Sequence, residues 1–218
     1  MKASIIGTGR MGQGLAKVLS PVIPDLLWAS RSKEKVSRLM EEGGYEALGV
    51  KAASHEEALQ SDIIFHSLWF RDVISWAVKH RDCLSGKILV DLCNPFTDDF
   101  SDFTTDWGTS AAEELQRVIP QCYVVGAFKN TFFKVLEQPF HHNERSDVYV
   151  TGDDQQAKET IMRLLHGIPF RILDGGNLSN NRTIERMTLF ERELAIRYGH
   201  YPYVSFKLFG MEEQVDSI

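Results

Sequence analysis

Residues 3–12 read Ala3-Ser4-Ile5-Ile6-Gly7-Thr8-Gly9-Arg10-Met11-Gly12. Ala3 to Ile6 has the apolar character of a short buried strand. Gly7, Gly9 and Gly12 follow in the spacing G-x-G-x-x-G, and from Gly12 the pattern turns helical. This order lets a backbone turn tightly off a strand, approach a pyrophosphate and pack a helix against the sheet. The helix N-terminus then offers unpaired N–H groups and partial positive charge to phosphate. The stretch predicts a dinucleotide site at the first turn of the chain.

The rest of the chain extends that unit. Leu15, Val18 and Leu19 share one helical face, and Pro21 and Pro24 end the helix. Strands are predicted at 26–29, 50–53, 62–68, 87–91, 123–128, 147–150 and 170–173. Helices are predicted between them: one from Ser30 to about Glu42, a short one capped by Ser54 with Glu57 as a capping box, then 73–80 and 111–118. A further helix follows Asp154, with Ala157, Ile161, Leu164 and Leu165 on its core face. Residues 96–109 and 129–145 show no period and read as irregular. A long helix over about 180–198 carries Ile184, Met187, Phe190, Leu194 and Tyr198 at helical spacing, leaving Glu185, Arg186 and Arg192 for its wet face. The aromatic tail 201–209 reads as a closing strand or an interface segment. Strand–helix alternation of this kind predicts an α/β fold: a Rossmann-type, doubly wound, mainly parallel sheet with a C-terminal helical extension, one domain over 1–218.

Composition narrows the partners. The net charge of −6 supplies no excess of cations for nucleic acid. No run of about 18 apolar residues marks a membrane span. The N-terminus enters strand-like sequence at once, so a cytoplasmic protein is expected. Cys83, Cys93 and Cys122 are odd in number and widely spaced, as free thiols are.

The end of the second strand addresses the ribose. An Asp or Glu there would hold a 2′-hydroxyl and select NAD. Ser30-Arg31 stands there instead, with Lys35 one turn on, and Thr8 adds a hydroxyl from the glycine turn. Cations at a helix start oppose its dipole, so a bound anion accounts for them, and the 2′-phosphate of NADP(H) fits. Ligands lie at the carboxyl ends of strands in such sheets. The later strand ends, Ser67-Leu68-Trp69, Asn94-Pro95 and Ala127-Phe128-Lys129-Asn130-Thr131, are therefore expected to face the ligand, with the nicotinamide lying across them.

The runs I-I-G-T-G-R-M-G-x-G-L-A, S-R-S-x-x-K, G-K-I-L-V-D-L-C-N-P and V-V-G-A-F-K-N-T, in that order, resemble the coenzyme F420-dependent NADP oxidoreductases. They resemble equally the oxidoreductase domain of the STEAP metalloreductases and, more distantly, the pyrroline-5-carboxylate reductases. The resemblance covers roughly residues 1–175. It implies NADPH held by Thr8, Ser30, Arg31 and Lys35 at the 2′-phosphate, by Gly7, Gly9, Gly12, Arg10 and Met11 at the pyrophosphate turn, and by Asn94, Pro95 and Ala127 near the nicotinamide. It also implies direct hydride transfer to a stacked flavin or deazaflavin ring, which needs close stacking and dryness, not a dedicated acid or base. No catalytic residue is therefore assigned. Lys129 departs from the small polar residue or His expected at its position. Coenzyme F420, FMN, FAD and a small imine or carbonyl compound all stay open as the acceptor.

Other groupings are weaker. His141-His142 lacks the i, i+4 geometry of a helical metal site, and no metal is expected. Asp98, Asp99 and Asp102 read as a solvated loop. Cys93 has no neighbouring His to activate it. Trp107, Phe128, Phe132, Phe133 and Phe140 could clamp a planar ring. Two readings follow: an NADPH-dependent oxidoreductase acting on a small-molecule acceptor, or a non-catalytic NADP(H) sensor that signals to a protein partner. The apolar face of the last helix suits a homodimer.

Overall fold

A computed structural model describes residues 1–211, so the last residues of the unit expected over 1–218 lie outside the described residues. Strand β1 (Ala3–Ile6) is buried throughout and has a parallel neighbour on each side. Helix α1 (Arg10–Leu19) follows, with Leu15, Val18 and Leu19 buried as their spacing predicts. Then come β2 (Leu27–Ala29), α2 (Lys33–Gly43), β3 (Lys51–Ala52), α3 (His55–Leu59), β4 (Ile63–His66), α4 (Phe70–Lys79), α5 (Arg81–Leu84), β5 (Ile88–Asp91), α6 (Ala111–Val118) and β6 (Tyr123–Gly126). The remainder comprises α7 (Phe133–Glu137), a small hairpin of β7 (Phe140–His141) and β8 (Glu144–Arg145), β9 (Asp147–Gly152), α8 (Gln155–Leu165), β10 (Arg171–Asp174) and α9 (Asn181–Arg197).

Eight strands form one sheet in the order β10-β9-β6-β5-β4-β1-β2-β3. The pairs from β3 to β6 are parallel, and the order reverses beside β1, the position where such sheets hold ligands. β9 is antiparallel to β6 and carries β10 parallel to itself. Alternation along the strands separates two cores. Ile5, Phe65, Val90 and Val125 pack with Leu15, Trp28 and Ile161, while Ile6, Ile64, Leu89 and Val124 pack with Val73, Ala77 and Leu115. The capping box at Ser54 and Glu57 is present.

Several expectations are corrected. Residues 129–145 are not irregular: they hold α7 and the β7–β8 hairpin. α7 is short and is set by tertiary packing, since a Cβ on Gly14 of α1 would come within 2.8 Å of Leu136. Of the face its pattern marks, the long helix buries Ile184 and half-buries Met187 and Leu194, but not the rest. Glu185, Thr188 and Glu191 are buried, whereas Phe190 and Tyr198 are 55% and 71% exposed. The tail is not a strand in its described part. It lies over the hairpin and the β9–β10 edge, where the Leu208 N–H donates to Asp147 and Tyr203 donates to the Phe140 carbonyl. Among the described residues, no helix is long and apolar enough to cross a membrane.

Candidate functional site

The strand ends are level. Ile6 pairs with Ala29 and His66, His66 with Asp91, and Asp91 with Gly126. The residues that follow, Gly7, Ser30, Ser67, Leu92 and Ala127, therefore form one rim, and above it opens a cleft of about 200 Å³. Of the residues expected to bind the cofactor, Gly9, Arg10, Met11, Ser67, Leu68 and Asn94 line it. Pro95 and Ala127 are buried behind that wall.

The glycine turn is built for close approach. Gly7 has φ +124°, a region that side-chain-bearing residues rarely adopt. A Cβ on Gly12 would run into the Gly7 carbonyl and the Ser67 hydroxyl, so the third glycine lets α1 seat against the turn. A Cβ on Gly9 would meet nothing within 4 Å, so this glycine keeps space free on the cleft side. α1 has no side-chain cap and no acidic residue in its first turn, leaving its N-terminal amides and dipole to an anion. Ser67 Oγ, Asn94 Oδ1 and Thr131 Oγ1 are buried with no hydrogen-bond partner among the described residues, and all three residues line the cleft. Orphaned polar atoms of this kind are rare in native interiors and fit a polar ligand. These features suit a dinucleotide with its pyrophosphate on α1.

At the end of β2, Ser30 Oγ donates to the Ser32 carbonyl at 2.8 Å and accepts from the Ser32 N–H at 3.2 Å. Ser32 in turn caps α2 by accepting from the Lys35 N–H. Ser30 thus shapes the turn that carries Arg31. Arg31 and Lys35 are exposed, and neither has an ion-pair partner among the described residues. Thr8 is half-buried in the glycine turn.

The cleft is also lined by aromatic residues. Phe132 and Phe133 line it as expected, and the Arg10 guanidinium lies 4.1 Å from the Phe133 ring centre. The other aromatic residues singled out do not line it. Phe128 is in the core, Phe140 is on the hairpin, and Trp107 is 82% exposed with Arg186 over its ring. Trp69, Phe96, Phe100 and Tyr201 take their place. Trp69 and Thr131 belong to the strand ends expected to face the ligand, whereas Phe128, Lys129 and Asn130 of those ends are buried; Phe96 directly follows Pro95, a signal available in the sequence. Thr188, Arg192 and Tyr201 reach the cleft only through the packing of α9 and the tail.

Sequence reasoning missed the charges below the cleft. Lys129 Nζ lies 2.7 Å from Asp91 Oδ2 and 2.9 Å from Glu185 Oε1, and none of the three side chains is more than 2% exposed. Lys129 therefore points under the wall, not toward an acceptor. His66 Nε2 lies 3.0 Å from Asp91 Oδ1. Burial by itself would raise the Asp91 carboxyl, but Lys129 and His66 hold it well below the usual range. Burial would likewise lower the Lys129 ammonium, yet Asp91 and Glu185 keep it above its ordinary value. Burial wins at Glu185 and raises it. Burial and Asp91 push the Cys93 thiol well up, which opposes a thiolate role. His66, Asp91 and Cys93 bring donor atoms within 4.8 Å of one another, but the Lys129 ammonium already supplies positive charge to Asp91. His141 stacks on Tyr203 at 4.3 Å.

A family model described as NADP oxidoreductase coenzyme F420-dependent matches residues 2–95. An F420-dependent NADP reductase of Methanocaldococcus jannaschii is 31% identical over 211 residues, covering 91% of this chain and 94% of that protein. The chain belongs to the F420-dependent NADP oxidoreductases. It is thereby an NADP-dependent oxidoreductase. Metalloreductase STEAP3 of Rattus norvegicus is 29% identical over 188 residues, which are 86% of this chain but 36% of that protein. The crystal structure of a putative F420-dependent NADP-reductase from Arthrobacter sp. FB24 has a TM-score of 0.78 at 21% identity, covering 91% of this chain and 95% of that one, a likeness of fold.

Proposed function

We propose that this family member transfers hydride between NADP(H) and a planar deazaflavin of the coenzyme F420 class. The observation that carries the reading is a single cleft lined both by a phosphate-ready glycine turn and by Trp69, Phe100, Phe132 and Tyr201. In this reading Gly7, Gly9, Gly12, Arg10 and Met11 receive the pyrophosphate, while Thr8, Ser30, Arg31 and Lys35 surround the 2′-phosphate. Ser67, Leu68 and Asn94 border the nicotinamide, with Pro95 and Ala127 supporting them from behind. NADPH supplies the hydride. The aromatic walls hold the second ring parallel and exclude water, and no residue donates or removes a proton. The relatives' names favour F420 over FMN, FAD or a small imine.

Steady-state oxidation of NADPH with oxidised coenzyme F420, FMN, FAD and a cyclic imine as separate acceptors tests this. Turnover with F420 above the others is expected. Tight NADPH binding with no turnover on any acceptor would refute the reading and favour a sensor. We also propose a homodimer through α9, supported by exposed Phe190, Ile196 and Tyr198; a monomeric mass in solution scattering would remove it.

A further inference from the structure

Four ionisable side chains form a continuous buried row beneath the cleft: His66, Asp91, Lys129 and Glu185. They come from β4, β5, the segment after β6, and α9. Each stands just ahead of residues that line the cleft: Ser67 after His66, Cys93 after Asp91, Thr131 after Lys129, and Thr188 one turn beyond Glu185. Hydride transfer between stacked rings needs no buried charge, and buried ion pairs are a weak source of stability. The row therefore calls for another explanation.

Lys129 supplies it. An ammonium has three N–H donors. The Lys129 ammonium donates to the Cys93 carbonyl and is ion-paired on two sides, with Asp91 Oδ2 and Glu185 Oε1, so its charge is already matched inside the protein. Its own carbonyl accepts from Asn94 Nδ2 at 2.8 Å and from Thr188 Oγ1 at 2.9 Å. Lys129 thus ties together, from both of its ends, the segments that carry Cys93, Asn94 and Thr188. The turn that sends its side chain inward passes through Phe128 in the left-handed region at φ 57°, a strained position for a bulky residue. On the α9 side, Glu185 also accepts from the Ala111 N–H at 3.1 Å and so fixes α9 against the start of α6.

We propose that Lys129 is a positioning residue, which with Asp91 and Glu185 locks the nicotinamide end of the cleft to α9. The inference rests on the NADP reading above, with the nicotinamide at the ends of β4, β5 and β6. The three side chains touch no ligand. They hold Asn94 and Thr188 at a set spacing, so the nicotinamide meets a preformed wall.

The test compares two ligands that share the 2′-phosphate end and differ at the other: NADPH, and 2′,5′-ADP, which has no nicotinamide. Dissociation constants are measured by titration calorimetry on the full chain and on Lys129→Met and Glu185→Gln. Lys129→Met is expected to weaken NADPH about tenfold while 2′,5′-ADP stays within about twofold. Glu185→Gln keeps the Asp91–Lys129 pair and the side-chain shape. It therefore carries the test if Lys129→Met does not fold, and is expected to give about a threefold loss with the same selectivity. A purely structural role would move melting temperature and leave the ratio of the two constants unchanged. Parallel weakening of both ligands, or no change in either, overturns the proposal. Failure of the unmodified chain to bind either ligand overturns the NADP reading, and the proposal with it.

Discussion

Arg171 grips Asp147 with two parallel hydrogen bonds of 2.7 Å, Nε to Oδ1 and Nη2 to Oδ2, in the buried edge between β10 and β9. The same two residues hold the tail: Asp147 Oδ2 accepts from the Leu208 N–H at 2.8 Å, and Arg171 donates to the Leu208 and Met211 carbonyls. Tyr201, a wall of the cleft, belongs to that tail. Asp147→Asn removes the carboxylate charge that Arg171 grips with two hydrogen bonds in this buried edge, and is expected to cost about 1–3 kcal/mol. Urea unfolding is expected to show that loss.

The glycine turn separates two roles that sequence spacing cannot distinguish. Gly12→Ala forces a methyl group into the Gly7 carbonyl and is expected to cost about 1–3 kcal/mol of stability. Gly9→Ala has open space, so its melting temperature is expected within about 2 °C of the unmodified chain. Its NADPH affinity is expected to fall about tenfold, because the methyl group enters the space next to the pyrophosphate. Thermal melts with and without NADPH check both.

Arg31 is exposed and has no ion pair among the described residues, so Arg31→Ala is expected to leave the fold intact. A charge-assisted contact to the 2′-phosphate predicts NADPH binding weaker by about tenfold to a hundredfold. NADH binding is expected to change little. Fluorescence titration with both nucleotides decides it, and equal losses would remove Arg31 from the 2′-phosphate site.

Glu191 is 4% exposed, and burial lifts its carboxyl from an ordinary 4.5 to about 9. Its folded pKa lies above its unfolded one. The protonated native state is thus favoured at low pH, and that contribution is lost as pH rises from about 4.5 through about 9. Glu191→Gln removes the titration. The variant is expected to melt higher than the unmodified chain at pH 8, by several degrees, with a smaller gap at pH 5. Equal differences at the two pH values would show that Glu191 does not titrate in this window.

The strands from β1 to β6, the capping box at Ser54 and the core face of α8 were legible because local period and caps agree with the tertiary fold. The segment 129–145 was not, because α7 is too short to stand on its own pattern and exists by packing on α1. The face of α9 misled for a related reason. The residues marked by its helical spacing are apolar, yet Glu185, Thr188 and Glu191 are more deeply buried than any of them, because Lys129 draws Glu185 inward and the Lys129 carbonyl takes the Thr188 hydroxyl. A pattern of hydrophobicity carries no record of an ion pair formed with a residue as distant in sequence as Lys129 is from Glu185.

The sequence by itself determined the strand–turn–helix at Ile5 to Gly12 and the cations that follow β2 at Arg31 and Lys35. Glycine spacing and charge type are local properties, set by covalent chemistry and backbone sterics. Only the tertiary structure decided which side chains meet above and below the cleft. Trp69, Phe100, Phe132 and Tyr201 converge on it from distant segments, and Asp91, Lys129 and Glu185 close beneath it. Those contacts depend on strand order and helix docking, where burial strengthens each charge interaction and leaves it no solvent partner.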